Sequence, residues 1–167
     1  MDSTKHVLKR EFVRLRRFAY SLTGNAADAD DLVHDVVVKI LEKGLPDSAN
    51  PLPWIFTMCK NVWIDELRYR DVRSPKSDAT SMSSSEEYMG TQKDGNAQLL
   101  QYERVLKKLQ SLPEGQRLAL SLVAIEGLSY AEAAEVLEVP VGTIMSRVAR
   151  ARAFLVDYFE SVEAEHE

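Results

Sequence analysis

From Ser74 to Asn96 the chain reads "SPKSDATSMSSSEEYMGTQKDGN", with five serines in the nine residues Ser77–Ser85 and no apolar periodicity. Such a stretch cannot bury enough apolar surface to offset the entropy of ordering it. It therefore divides the 167 residues into an N-terminal unit, 1–73, and a C-terminal unit, 97–167, with 74–96 as a flexible linker. Each unit has to build its own core. Neither contains alternating β-branched runs bounded by hairpin turns, and both are filled with patterns of period 3.6. The predicted fold class is all-α: two small helical domains joined by a flexible linker.

The N-terminal unit shows three helical patterns. Leu8, Phe12, Leu15, Ala19 and Leu22 step by four, three, four and three, a single apolar stripe that stops before Gly24. Asn25 then offers an N-cap, with Asp28 in the first turn where a carboxylate suits the helix dipole. On this second helix Val33, Val36, Val37 and Ile40 share one face, while Asp28, Asp31, Asp35, Lys39 and Glu42 line the other. Gly44 ends it. The segment "LPDSANPLP", with three prolines in nine residues, is a loop. A third helix follows from about Pro53 to Arg70. It is apolar over most of its circumference, yet at about 100° per residue Thr57, Asn61 and Arg68 form one polar strip, flanked by Lys60, Ile64 and Asp65. On pattern alone, simple solvation and ligand contact explain that strip equally well. Trp63 falls on the side of Phe56 and Leu67 and reads as core, and so does Cys59, among Ile55, Met58 and Val62.

The C-terminal unit opens with an amphipathic helix, "AQLLQYERVLKKLQSL", and continues into "PEGQRLALSLVAIEG", where Pro113 suits a first turn and Gly127 a C-cap. Ser129 with Glu132 three residues later is a capping-box signature for a short helix from Tyr130 to about Glu138. Pro140 and Gly142 then interrupt it, and Thr143 restarts a helix reaching about Phe159. Two helices joined by a short turn containing glycine form the helix-turn-helix pattern. Along the last helix Ile144, Val148, Ala151 and Leu155 make the core stripe. Thr143, Ser146, Arg147 and Arg150 occupy the other side of its first turns, where the second helix of such a motif meets base edges in the major groove. Arginine can bridge guanine O6 and N7, and hydroxyls suit phosphate oxygens. Arg152 points to the flank, where phosphate contact is the most it can make.

The net charge is -5, so nucleic-acid contact has to be local. The segment "VPVGTIMSRVARAR", residues 139–152, carries three arginines and no acid, whereas residues 101–167 as a whole hold 7 basic and 11 acidic side chains. One cysteine cannot form an internal disulfide, and three scattered histidines give no zinc-ligand spacing. No catalytic constellation, metal site or cofactor loop is legible, so the chain is not expected to be an enzyme and no cofactor is expected. No apolar stretch approaches the ~20 residues of a membrane span. With Lys5, Lys9, Arg10, Glu11 and Arg14 in the first twenty residues there is also no signal-peptide core. A cytoplasmic protein is expected.

The stretches "LTGNAADADDLVHDVVVKILEK", "PWIFTMCKNVWIDELRYR" and "LPEGQRLALSLVAIEGLSYAEAAEVLEVPVGTIMSRVARARAFL" resemble bacterial RNA polymerase sigma factors of the extracytoplasmic-function (ECF) group, in the same order and over nearly all the chain except the linker and the extreme termini. The resemblance implies an initiation subunit whose N-terminal domain reads and melts the minus-ten promoter element. It implies a C-terminal domain that reads the minus-thirty-five element as duplex. Carried onto this sequence, Thr143, Ser146, Arg147, Arg150 and Arg152 would contact minus-thirty-five DNA. Thr57, Lys60, Asn61, Arg68, Arg70 and Arg73 would contact minus-ten DNA, and Asp31, Leu32 and Asp35 would dock on core RNA polymerase. The implied partners are core polymerase, promoter DNA and an anti-sigma factor. Two departures stand out: His34 replaces the usual Gln, and Asp65, Glu66 and Asp71 interleave the arginines at the end of the third helix. Weak affinity for free promoter duplex is therefore expected. The competing reading is a sigma-like mimic or adaptor that sequesters a regulator without driving transcription.

Overall fold

Two glycines with left-handed backbones punctuate the N-terminal unit. Helix α1, Asp2–Thr23, ends where the Gly24 amide, at φ 80°, donates to the Tyr20 carbonyl at 2.9 Å, and α2, Ala26–Lys43, ends at Gly44, φ 79°, whose amide donates to Ile40 at 2.7 Å. A side chain at either position would be strained. The Asn25 side chain accepts from the Asp28 amide at 2.8 Å, the N-cap that the sequence predicts. Helix α3 spans Leu52–Arg73, starting one residue before and ending three after the expected bounds. Pro53 lies in its first turn, where a missing N–H leaves no helical bond unmade. The computed structural model describes residues 2–47, 50–73 and 97–165, and all regular structure among them is helical. The chain separates into two compact units, Met1–Asp94 and Gly95–Glu167. The linker expected over 74–96 lies outside the described residues.

In the first unit α1, α2 and α3 pack on one another. The core is built around Phe18, Ile40, Ile55 and Phe56, all fully or almost fully buried, with the Phe18 and Phe56 ring centroids 4.8 Å apart and tilted by 48°. The stripe predicted for α1 needs one correction: Phe12 is 44% exposed, while Phe18 and the carboxylate-bearing Glu11 are buried. Helix α1 packs against two helices, which rotates its buried face toward the Glu11 and Phe18 side. Arg10 Nε and Arg14 Nη1 donate to the two Glu11 carboxylate oxygens at 2.8 and 3.3 Å, so the carboxylate keeps charged partners.

Cys59 and Trp63 are buried, as expected. Burial alone pushes the Cys59 thiol up from its ordinary range, so at neutral pH it stays protonated. A thiol-specific reagent is expected to leave the native protein unlabelled over an hour and to label it fully in denaturant. Fast labelling of the native form would show that the α3 core opens readily.

In the second unit α4, Ala97–Ser111, is followed by α5, Glu114–Leu120, which runs into a five-residue π-helical turn, Ser121–Ile125. The turn closes with the Glu126 amide on the Ser121 carbonyl at 2.9 Å, and Gly127 at φ 75° reverses the chain. Pro113 takes the cap position of α5, just outside the turn predicted for it. Two further helices complete the unit: α6, Tyr130–Leu137, and α7, Val141–Glu165, which packs on both α5 and α6. Helix α4 is tied to α7 by Lys108, whose ammonium sits 4.7 Å from the Phe154 ring centroid and 4.5 Å from that of Tyr158.

Candidate nucleic-acid interface

The α6–turn–α7 motif is set by local chemistry. Ser129 Oγ accepts from the Glu132 amide at 3.1 Å and Glu132 Oε1 accepts from the Ser129 amide at 3.0 Å, the complete capping box. Ala133 and Ala134 are buried, giving α6 a face small enough for close crossing. The turn itself differs from expectation. It is Glu138–Pro140 and contains no glycine; the left-handed residue is Glu138, φ 55°, and Gly142 already lies in the first turn of α7. Pro140 starts α7 instead, its carbonyl accepting from Thr143 at 3.0 Å and Ile144 at 3.3 Å.

Ile144, Val148 and Ala151 are buried, as the stripe predicts, and Leu155 is half-buried. Opposite them Gly142, Ser146, Ala149 and Ala153 are exposed at helical spacing, a ridge of small residues that the arginine count alone did not reveal. Such a ridge lets a helix axis come close to a neighbouring surface. Arg150 is exposed beside it, Arg152 is exposed on one flank, and Arg147 is half-buried on the other. Thr143 is half-buried. The Ser146 hydroxyl donates to the Gly142 carbonyl at 3.0 Å, so it is free to accept but must break this bond to donate to a phosphate. At about 100° per residue Thr143, Ser146 and Arg150 lie on the outward half of α7, while Arg147 and Arg152 stand on its two flanks, nearer the packed face.

The predicted strip on α3 is only partly assembled. Asn61 and Arg68 are exposed, and Thr57 is half-buried with its hydroxyl donating to Pro53 at 2.9 Å. Lys60 is 6% exposed and so does not belong to an exposed strip. It follows Phe56 by one turn and precedes Trp63 by three residues, which puts it on the apolar side of the helix. Arg70 is exposed but engaged: Nε lies 3.3 Å from Glu66, a second nitrogen lies 3.8 Å from Asp28, and the guanidinium sits 5.6 Å from the Trp63 ring centroid. Arg73 is the last residue of α3, and its side chain is outside the described residues.

On α2, Asp31 and Asp35 are exposed, whereas Leu32 is 4% exposed and belongs to the core. A step of one residue turns the helix by about 100°, enough to carry Leu32 inward between two outward acids. Asp35 also lines an open groove of about 420 Å³ between α2 and α3, together with His34, Val38, Lys39, Glu42, Val62, Asp65 and Glu66. Four carboxylates against one lysine make it acidic. The sequence could show Asp65 and Glu66 only as interruptions among arginines; the packing of α3 on α2 joins them to the acids of α2. Among the described residues no group of three or more His, Cys, Asp or Glu is placed to hold a metal ion, and no helix is long and apolar enough to cross a membrane.

Two helical units, the second ending in a helix-turn-helix, define a two-domain DNA-binding architecture. Residues 8–73 match sigma-70 region 2 and residues 102–155 match sigma-70 region 4. The ECF RNA polymerase sigma factor EcfG of Rhodopseudomonas palustris (strain TIE-1) is 37% identical over 158 residues, covering 92% of this chain and 83% of that protein. The ECF RNA polymerase sigma-E factor of Escherichia coli (strain K12) is 31% identical over 137 residues, 76% of this chain and 71% of the relative. Among solved structures, the sigma factor RpoE in complex with the anti-sigma factor NepR, from Bartonella quintana, superimposes with a TM-score of 0.79 at 30% identity, over 96% of this chain and 98% of that one. The chain belongs to the sigma-70 family, in its ECF group of RNA polymerase sigma factors. It is accordingly a transcription initiation factor and not an enzyme.

Proposed function

We propose that the C-terminal unit, 97–167, reads the minus-thirty-five element through α7, with Arg150 and Arg147 at base edges, Thr143 and Ser146 beside them and Arg152 on phosphate. The observation that carries this is the outward face of the first turns of α7, residues 141–153, which holds arginines and no acid and follows the complete capping box of α6. The N-terminal unit, 1–73, captures and opens the minus-ten element, for which the exposed Asn61 and Arg68 are the foremost contacts and Arg70 and Arg73 lie nearest the end of the helix. Asp31, Asp35 and the acidic groove between α2 and α3 suit a basic surface of core polymerase. The 74–96 segment tethers the two readers. The protein works in the cytoplasm, and an anti-sigma factor restrains it, a reading supported by the NepR-bound relative.

Purified core polymerase with this chain is expected to initiate at mapped promoters in vitro. The free chain, at net charge -5, is expected to bind the same duplexes weakly and with steep salt dependence. Absence of promoter-dependent initiation would favour a sigma-like adaptor, which the relatives do not favour. Tight, salt-insensitive binding by the free chain would contradict the assigned division of labour.

A further inference from the structure

Gly115 is the second residue of α5, and its backbone gives no reason for glycine: the glycines with left-handed φ are Gly24, Gly44 and Gly127. In a helix glycine is a poorer choice than alanine. What it provides is space. A Cβ at this position would lie 3.0 Å from Arg147 Cζ and 3.2 Å from both Nε and Nη1. At Gly142, by contrast, a Cβ would meet nothing within 4 Å. The guanidinium of Arg147 is therefore seated in a notch on the first turn of α5, which is why Arg147 is half-buried while Arg150 and Arg152 are exposed.

We infer that Gly115 is a positioning residue for promoter readout: the notch it leaves fixes where the Arg147 guanidinium stands at the edge of the DNA-facing side of α7. This rests on the reading that Arg147 contacts minus-thirty-five DNA. A long arginine side chain has many rotamers, and bidentate base contact needs two nitrogens placed together, to within about half an ångström. A neighbouring helix that holds the guanidinium in advance removes part of the ordering cost. A methyl group at Gly115 displaces the guanidinium by a few tenths of an ångström or into another rotamer. The flexible end of a side chain yields cheaply, so the fold tolerates the change while the readout does not.

The test compares the full-length parent, Gly115→Ala, Arg147→Ala and the double variant, each assembled with core polymerase, in competition among promoters varied base by base across the minus-thirty-five element. Thermal denaturation of each free chain is recorded alongside. Gly115→Ala is expected to keep or raise the melting temperature, yet to lose about three- to tenfold in discrimination at the same position where Arg147→Ala acts. In the Arg147→Ala background the same change should do nothing, because the notch then has no occupant. Gly115→Ser serves as a second variant if the alanine form fails to assemble. Unchanged discrimination by Gly115→Ala beside a clear loss in Arg147→Ala overturns the inference, as does tighter binding or an equal effect in both backgrounds. No effect of Arg147→Ala overturns instead the assignment of Arg147 to DNA.

Discussion

Phe56→Ala is expected to destabilise the N-terminal unit by about 3–5 kcal/mol, most of what a helical unit of this size has. Phe56 is fully buried on α3 and meets Phe18 of α1 at 4.8 Å between ring centroids, so its removal opens a cavity where two helices join. The ring pair adds to the transfer term. Both tryptophans of the chain, Trp54 and Trp63, lie on α3, so tryptophan fluorescence follows this unit alone while far-ultraviolet circular dichroism follows both. Urea titration by the two probes should show the fluorescence transition moving to low denaturant and part of the dichroism transition staying in place. Phe12→Ala is the matched control: its side chain is 44% exposed, and the change should cost about 1 kcal/mol, well short of the loss at Phe56. Equal shifts for the two variants would mean that α1 packs on a face other than the one described.

These two phenylalanines also show how far periodicity reaches. A stripe stepping by four, three, four and three correctly places Leu8, Leu15, Ala19 and Leu22 inside, yet it cannot tell which edge of the stripe a second neighbouring helix will cover. The caps were legible because they are local: Asn25 with Asp28, and Ser129 with Glu132, depend only on residues three apart. The helix-turn-helix was legible for the same reason, although its left-handed position fell to Glu138 instead of a glycine. The π-helical turn after α5 was not, since a change from i−4 to i−5 bonding leaves no mark in residue type. Nor was Glu126, which is 1% exposed beside the helix-ending Gly127. At the candidate interface, the departures from the periodic pattern are single steps of rotation. Leu32 and Lys60 each adjoin an exposed residue, Asp31 and Asn61, and each turns inward with the face that packs. The acidic groove needed the packing of α2 on α3, and the Gly115 notch needed that of α5 on α7, neither of which has a sequence signature.

Arg150→Ala is expected to weaken minus-thirty-five recognition by the assembled polymerase by about 1–3 kcal/mol, roughly 5- to 150-fold, with relaxed preference at one base position. Arg150 is the arginine beside the exposed ridge of Gly142, Ser146, Ala149 and Ala153, which in the proposed docking is the part of α7 that faces the groove floor. It has the reach to bridge two acceptors on one guanine. Arg152 is also exposed but lies on the flank, where the proposed docking leaves it only the sugar-phosphate wall. Its replacement by alanine should weaken all promoter sequences alike and reduce the salt slope by about one, without changing base preference. The pair of variants therefore separates charge from readout on a single helix. Competition among base-substituted promoters at two salt concentrations measures both quantities at once. A uniform loss from Arg150→Ala would reduce it to a phosphate contact, and a base-specific loss from Arg152→Ala would mean that α7 enters the groove rotated by nearly half a turn from the orientation assigned to it.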